Sequence, residues 1–347
     1  MRSPEVAAWT GSVPLPTIPK YKQSRAWRWV RQTWLGDLSR GSRTFCREMW
    51  AWVSCKPVRF PEAAELAESI ATLRTCGLDA TAPEVEVEEE APIFLLSTGW
   101  RAGSTLLQRI LITDPRLLLW GEPLGDMTVI SRMAEMVSHS ISPLKLRVWE
   151  SQVDANSSAL ATSWIANLYP PSSYLRKALR SLVAEWLAKP ARDRGFARWG
   201  LKECRLGATE ATLLHWLYPN AKFVVISRHP YDSYRSLADA KWAPYYRYPD
   251  VRVNSAATFA HHWNRLAVSW SDLPAGFPCF QIKYEDLADG KVDFRKLESW
   301  LGIEVKENIA LSVPVGGTRK REHLTWYERS IIAREAAAGM RALGYSQ

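Results

Sequence analysis

The chemistry-bearing residues of this chain begin at 93–122, IFLLSTGWRAGSTLLQRILITDPRLLLWGE. Within it Arg101-Ala102-Gly103-Ser104-Thr105 forms a small-residue loop with one cation. The loop separates an apolar run, Ile93 to Leu96, from Leu106, Leu107, Ile110 and Leu111 at helical spacing. Strand, loop and helix in that order put the loop at a helix N-terminus, where backbone N–H groups lack intrahelical partners and the dipole is positive. Such a loop suits an anion, the competing reading being a merely structural small-residue turn. It is not a nucleotide triphosphate cradle of the Walker type, which needs Gly, four residues, Gly, Lys and Ser or Thr. Counted from Gly99, that spacing reaches Ser104-Thr105 with no Gly-Lys before it, and the cation, Arg101, precedes the glycine.

The elements that must position further polar residues alternate along the chain. Leu117 to Trp120 reads as a strand ending at Gly121-Glu122-Pro123, and 197–207 holds a strand ending on Lys202. Thr209 to Leu217 reads as a helix. Phe223 to Ile226 reads as a buried strand with Arg228 at its end, followed by a helix carrying Ser233 and Ser236. This alternation predicts a parallel sheet flanked by helices, with ligands at the carboxyl ends of the strands. Arg101, Glu122, Lys202 and Arg228 all fall at such ends. Arg228 and Ser236, eight residues apart across a strand-to-helix turn, can both reach one phosphate. The competing use of Arg228 is a salt bridge to Asp232 or Asp239.

The chain's 347 residues, 47% hydrophobic and 23% charged, fit a soluble globular protein of one large α/β domain with an appendage, or of two domains. There is neither a membrane-spanning apolar run nor an apolar leader near Met1, so a cytoplasmic protein is expected. The five cysteines, Cys46, Cys55, Cys76, Cys204 and Cys279, include no CxxC pair and read as free thiols. The net charge is +9, but residues 1–92 balance to about zero, so the excess lies in 93–347. There the cations are scattered at element ends, which suits a pocket for a small polyanion better than a nucleic-acid footprint.

Residues 1–90 read as an N-terminal helical extension and an acidic linker. Residues 21–60 hold nine Lys/Arg against two acids, and Trp27, Val30 and Trp34 share a helical face with Lys22, Arg25, Arg28 and Arg31 around it. That helix docks on the rest of the chain or, alternatively, meets an anionic membrane surface or a partner. A second helix is expected at 62–74, and Glu84, Glu86, Glu88, Glu89 and Glu90 mark a solvated linker. From about 124 to 195 the pattern is helical, broken at Ser142-Pro143, Pro170-Pro171 and Lys189-Pro190, an insertion expected on the acceptor side. The loop 241–253 carries Trp242, Tyr245, Tyr246 and Tyr248, which either cover a sugar or phenol or simply pack.

Arg-x-Gly-Ser-Thr-Leu after a buried strand resembles the 5′-phosphosulfate loop of sulfotransferases that use 3′-phosphoadenosine 5′-phosphosulfate (PAPS). Arg228-x₇-Ser236 resembles their 3′-phosphate motif, and Tyr284-Glu285-Asp286-Leu287 and His262-Trp263-Asn264 look like two further family segments. A last match is the loop Gly316-Gly317-Thr318-Arg319-Lys320-Arg321, before a helix capped by Thr325 with Glu328 three residues on. The resemblance covers about 93–122 and 197–347, and is closer to the carbohydrate and tyrosylprotein branches than to the cytosolic phenol and steroid branch. His229 stands where the family often has Asp or Asn, and the C-terminal loop lacks the cytosolic branch's Arg-Lys-Gly string.

The resemblance implies a P-loop-like three-layer fold, a sulfotransferase domain over 91–347, and sulfuryl transfer from PAPS to a hydroxyl or amine. The acceptor would be a carbohydrate, a tyrosyl peptide or a small molecule. It implies donor contacts from Arg101, Ala102, Gly103, Ser104, Thr105, Arg228, Ser236, Tyr284, Arg319, Lys320 and Arg321. Arg101 and Lys202 would neutralise charge on the leaving phosphate, and Glu122 would be the general base, with His139, His261 and His262 as the histidine alternatives. No metal is expected, since the strand before Ser227-Arg228 has no terminal acid to hold Mg²⁺. A P-loop kinase of a small metabolite and a non-catalytic nucleotide-binding scaffold on the same fold are the competing readings.

Overall fold

The computed structural model describes residues 61–75, 90–125, 127–140, 172–238, 246–248, 251–271, 273–274, 276–306, 308 and 323–346, all within one compact unit, Cys55–Gln347. The helix expected in 21–60, most of the acidic run, Ser142-Pro143, Pro170-Pro171, Asp239, Trp242, Tyr245 and the loop Gly316 to Arg321 lie outside the described residues.

Five short strands form one sheet: β1 (Ile93–Ser97), β2 (Leu117–Gly121), β3 (Arg198–Glu203), β4 (Lys222–Ser227) and β5 (Cys279–Lys283). All pairings are parallel and the order is β2-β3-β1-β4-β5. Strands β1, β2 and β4 read as near-continuous apolar runs, as expected where both faces of a parallel sheet are covered. Ile93 and Leu95 of β1, with Val224 and Ile226 of β4, pack with α2 (Ser104–Leu111) on one face. Phe94, Leu96, Phe223 and Val225 face the other way into a second cluster. That cluster includes Leu66, Ile70 and Leu73 of α1 (Ala63–Thr75), so this helix is part of the core beneath the sheet. Helices on both sides of a parallel sheet make the three-layer, P-loop-like architecture.

The described part of 124–195 is helical: α3 (Val129–Ser140), α4 (Ser172–Val183) and α5 (Lys189–Arg192). The break expected at Lys189-Pro190 does not occur. A single π turn, Ala184–Ala188, joins α4 to α5, and Pro190 sits in the first turn of α5, where its missing N–H costs little. Beyond β3 come α6 (Ala208–Leu217), α7 (Pro230–Ala238) after β4, and α8 (Ala256–Ser271). After β5 follow α9 (Tyr284–Ala288), α10 (Phe294–Leu301), α11 (Trp326–Glu335) and α12 (Ala337–Ala342). The capping box expected at Thr325 and Glu328 is present, with the Thr325 hydroxyl accepting from the Glu328 N–H at 3.2 Å. Helix α8 anchors the C-terminal helices: Asn264 accepts the Gly339 N–H at 2.7 Å, and Trp263 donates to the Arg228 carbonyl at 3.1 Å. No described helix is long and apolar enough to cross a membrane.

Candidate active site

The carboxyl ends of β1, β2, β3 and β4 carry the polar residues that the alternation of elements placed there. At the end of β1, Thr98 donates its N–H to Ile226 at 3.2 Å, and the chain turns through Trp100 and Arg101 into α2. Gly103 caps α2 at φ 93° with no side chain to satisfy the first-turn N–H groups, which leaves them to a ligand. A Cβ at Gly103 would also lie 2.2 Å from the Tyr284 ring, so only glycine lets that ring close over the loop. Tyr284 in turn lies beneath the Arg228 guanidinium, whose carbon sits 4.1 Å from the ring centroid.

Among the described residues, two that are not glycine sit at positive φ, Arg101 at 66° and Glu122 at 52°. Each such conformation costs an L-residue about 1–2 kcal/mol. Strain of this kind persists where packing over-determines it, typically around functional groups.

Arg101 gathers one group. Its Nε donates to the Ser236 hydroxyl at 3.0 Å and its carbonyl accepts from Arg228 at 3.1 Å, while burial raises the Tyr246 pKa against the pull of the Arg101 charge. Arg101, Arg228, Ser236 and Tyr284 are therefore brought together. The salt bridge considered for Arg228 is not made with Asp232, which pairs instead with Arg235 at 2.7 Å. Arg319, Lys320 and Arg321 lie outside the described residues.

Glu122 gathers a second group. The β2–β3 register pairs Gly121 with Lys202, and the Glu122 N–H continues it by donating to the Lys202 carbonyl at 2.8 Å. The Glu122 carboxylate takes the Lys202 ammonium on one oxygen and Arg205 on the other, the latter at 3.1 Å. The Cys204 thiol donates to it at 3.6 Å and contacts the Ser104 hydroxyl at 3.3 Å, which links the group to the anion loop. Burial opposes the Lys202 charge, but the Glu122 carboxylate beside it outweighs burial and holds its pKa above the usual lysine value. Burial pushes the Cys204 thiol up to about 12, so it stays protonated.

Two members of this group escaped the sequence reading. Arg205 is only 1% exposed and bridges Glu122 to Glu203, which it meets at 2.6 Å, while lying 5.2 Å over the Trp100 ring. Glu203 is fully buried. Its position one residue past Lys202, in a strand with one side chain per face, was the only available signal.

Burial pushes the Glu203 carboxyl up to about 7, against the pull of Arg205 and with a further push from Glu122. A carboxyl whose folded pKa is raised keeps its proton after the unfolded chain has released it, so its contribution is largest below about pH 4.5 and is lost as pH rises through 7. Stability should therefore fall by up to about 3 kcal/mol between pH 4.5 and 8 through this group. Urea titrations at the two pH values should show that drop in the wild type and a much smaller one in Glu203→Gln; equal drops in both would remove Glu203 as the cause.

The histidines separate clearly. His262 is buried against Trp100, ring centroids 4.9 Å apart, and burial holds it neutral, well below the usual histidine range. His261 is exposed on α8, and His139 lies in the last turn of α3. Tyr248 is structural: its hydroxyl bonds Ser131 at 2.6 Å, and Ser131 donates to Glu210 at 2.6 Å. Glu285 is structural as well, accepting the His229 N–H at 2.9 Å and the Tyr345 hydroxyl at 3.1 Å. Among the described residues, no cluster of three or more His, Cys, Asp or Glu side chains is arranged to hold a metal ion.

Residues 92–307 match the model of a sulfotransferase family. Similar solved structures include the sulfotransferase domain of the Synechococcus PCC 7002 olefin synthase, at 17% identity, covering 76% of this chain and 98% of that one, with a TM-score of 0.41. The sulfotransferase domain from the curacin biosynthetic pathway is similar at 16% identity, 74% and 98% coverage, and a TM-score of 0.37. A sulfotransferase from Mycobacterium tuberculosis is similar at 13% identity, 85% and 91% coverage, and a TM-score of 0.34. No curated protein matches the chain in sequence.

Proposed function

The chain belongs to the sulfotransferase family, and from that premise we propose that it moves a sulfuryl group from PAPS to a hydroxyl or amine of an acceptor. The observation that carries this reading is the Arg101 cluster. A donor with anionic groups at its 5′ and 3′ ends needs two cationic sites a short distance apart. Arg101 and the first turn of α2 supply one, Arg228 and Ser236 the other, and the Arg101–Ser236 hydrogen bond of 3.0 Å sets them side by side. The first turn of α2, whose N–H groups have no side-chain cap, suits a phosphate.

Bound PAPS would supply an activated sulfuryl group on a phosphate leaving group. The backbone N–H groups of Ala102 to Thr105 and the hydroxyls of Ser104 and Thr105 hold the 5′ end, while Arg228, Ser236 and Tyr284 hold the 3′ side. Arg319, Lys320 and Arg321 are assigned to that side by the family resemblance alone. Lys202 and Arg101 offset the charge that grows on the leaving oxygen. Below about pH 7, with Glu203 protonated, Lys202, Arg205 and Glu122 carry a net positive charge, which suits that task. Glu122 takes the acceptor proton, and its fixed place at the end of β2 keeps it beside the loop. The acceptor is a carbohydrate, a tyrosyl peptide or a small molecule.

Calorimetric titration of 3′,5′-ADP without Mg²⁺ tests the donor site. Wild type should bind one equivalent, and the Arg228→Ala, Ser236→Ala double variant should bind at least about tenfold more weakly, since each charged hydrogen bond lost costs about 1.5–3 kcal/mol. No binding to folded wild type would favour the scaffold reading, and a requirement for Mg²⁺ and ATP would favour the kinase.

A further inference from the structure

A cavity is walled by residues other than those assigned to the donor. It measures about 430 Å³ and is walled by His229 in the turn after β4, by Tyr231, Asp232 and Arg235 of α7, and by His323, Leu324 and Arg329 around the start of α11. That volume is in the range of pockets for small organic ligands. None of these seven residues belongs to the donor cradle, although Arg228 precedes His229 and Ser236 follows Arg235.

The lining states what would fit. Two guanidinium groups face one carboxylate, Asp232, and Arg235 already bridges it at 2.7 Å. Arg329 lies 5.8 Å over the Tyr231 ring, its charge left for something else. His229 is committed: its Nδ1 accepts the Tyr231 N–H at 3.3 Å, which leaves the hydrogen on Nε2, within 3.1 Å of the Ser346 carbonyl. Its ring therefore serves as a wall, 5.0 Å from the Tyr231 ring and tilted 36° to it. An aromatic wall of two rings, an apolar corner at Leu324 and an excess of cations call for a flat ligand with a negative end.

We propose that this cavity is an accessory binding site for a small ring compound carrying a sulfate or carboxylate, with the anion held by Arg329, Arg235 and His323 and the ring against Tyr231 and His229. The inference does not depend on the donor assignment, because it uses none of those residues.

Calorimetric titration of the full chain tests it with 4-nitrophenyl sulfate, 4-nitrobenzoate and, as an uncharged control, 4-nitrobenzyl alcohol. At least one anion should bind one-to-one and the alcohol much more weakly; the tighter anion identifies the headgroup. Arg329 and His323 are exposed, so Arg329→Glu and His323→Ala should fold, and Arg329→Glu should weaken the anion about tenfold or more. Arg228→Ala should bind the anion as wild type does, and saturating 3′,5′-ADP should not displace it. Equal binding of the alcohol, no binding to folded wild type, or loss of binding in Arg228→Ala with retention in Arg329→Glu would each overturn the proposal.

Discussion

Glu122→Gln should lower the rate of sulfuryl transfer by about a hundredfold to ten-thousandfold, the range for a removed general base, and leave 3′,5′-ADP binding unchanged. The amide is isosteric, and its oxygen can still accept from Arg205 or Lys202, so the positive-φ turn after β2 keeps its tethers. Arg101, Arg228 and Ser236 bond one another, and of the groups assigned to the donor Lys202 is the one shared with the Glu122 carboxylate, which Gln still accepts from. Stopped-time assays with a panel of phenolic and sugar acceptors, paired with calorimetry of 3′,5′-ADP, separate the two effects. Activity retained within about tenfold would pass the base role to a histidine. His261 would then be first in line, because His262 sits behind Trp100 with its Nε2 sealed from solvent.

How much of this was readable beforehand depended on whether neighbours in space are neighbours in sequence. The anion loop was legible because strand, glycine and helix follow one another within twenty residues, and the physics of a helix N-terminus does the rest. Arg228 and Ser236 were legible for the same reason, being two ends of one turn. The partners of Glu122 were not. They depend on β3 lying between β1 and β2, a sheet order that apolar runs do not encode, and on a register pairing Gly121 with Lys202. Arg205 and Glu203 were hidden further, since a charged residue in sequence reads as solvated and these two are almost wholly buried. Tyr246 and Tyr248 show the converse. Both came from one aromatic loop, yet one feels the Arg101 charge and the other closes a buried hydrogen-bond chain to Glu210. Helical break signals failed at Lys189-Pro190 because a π turn lets the chain gain a residue without leaving the helix.

Arg205→Met should be the most destabilising single change at the site, costing about 3–5 kcal/mol, because it leaves carboxylates on both sides of a buried gap with their shared cation gone. Arg205 touches Glu122 at 3.1 Å and Glu203 at 2.6 Å, and at 1% exposure no water replaces it cheaply. It also covers Trp100, the residue before Arg101, so the anion loop loses its floor in the same step. For a domain of this size each kcal/mol moves the midpoint by about 2–4 °C, so thermal unfolding at pH 7.5 should come roughly 10 °C earlier. The double variant Glu203→Gln, Arg205→Met should recover a good part of that loss, since the carboxylate left without a cation is then absent, while Glu122 keeps Lys202. Recovery is the informative result. A cavity effect alone would leave the two substitutions additive, whereas a stranded charge makes the double variant more stable than their sum. Lower pH should do part of the same work in Arg205→Met, because Glu203 without its cation takes up a proton still more readily.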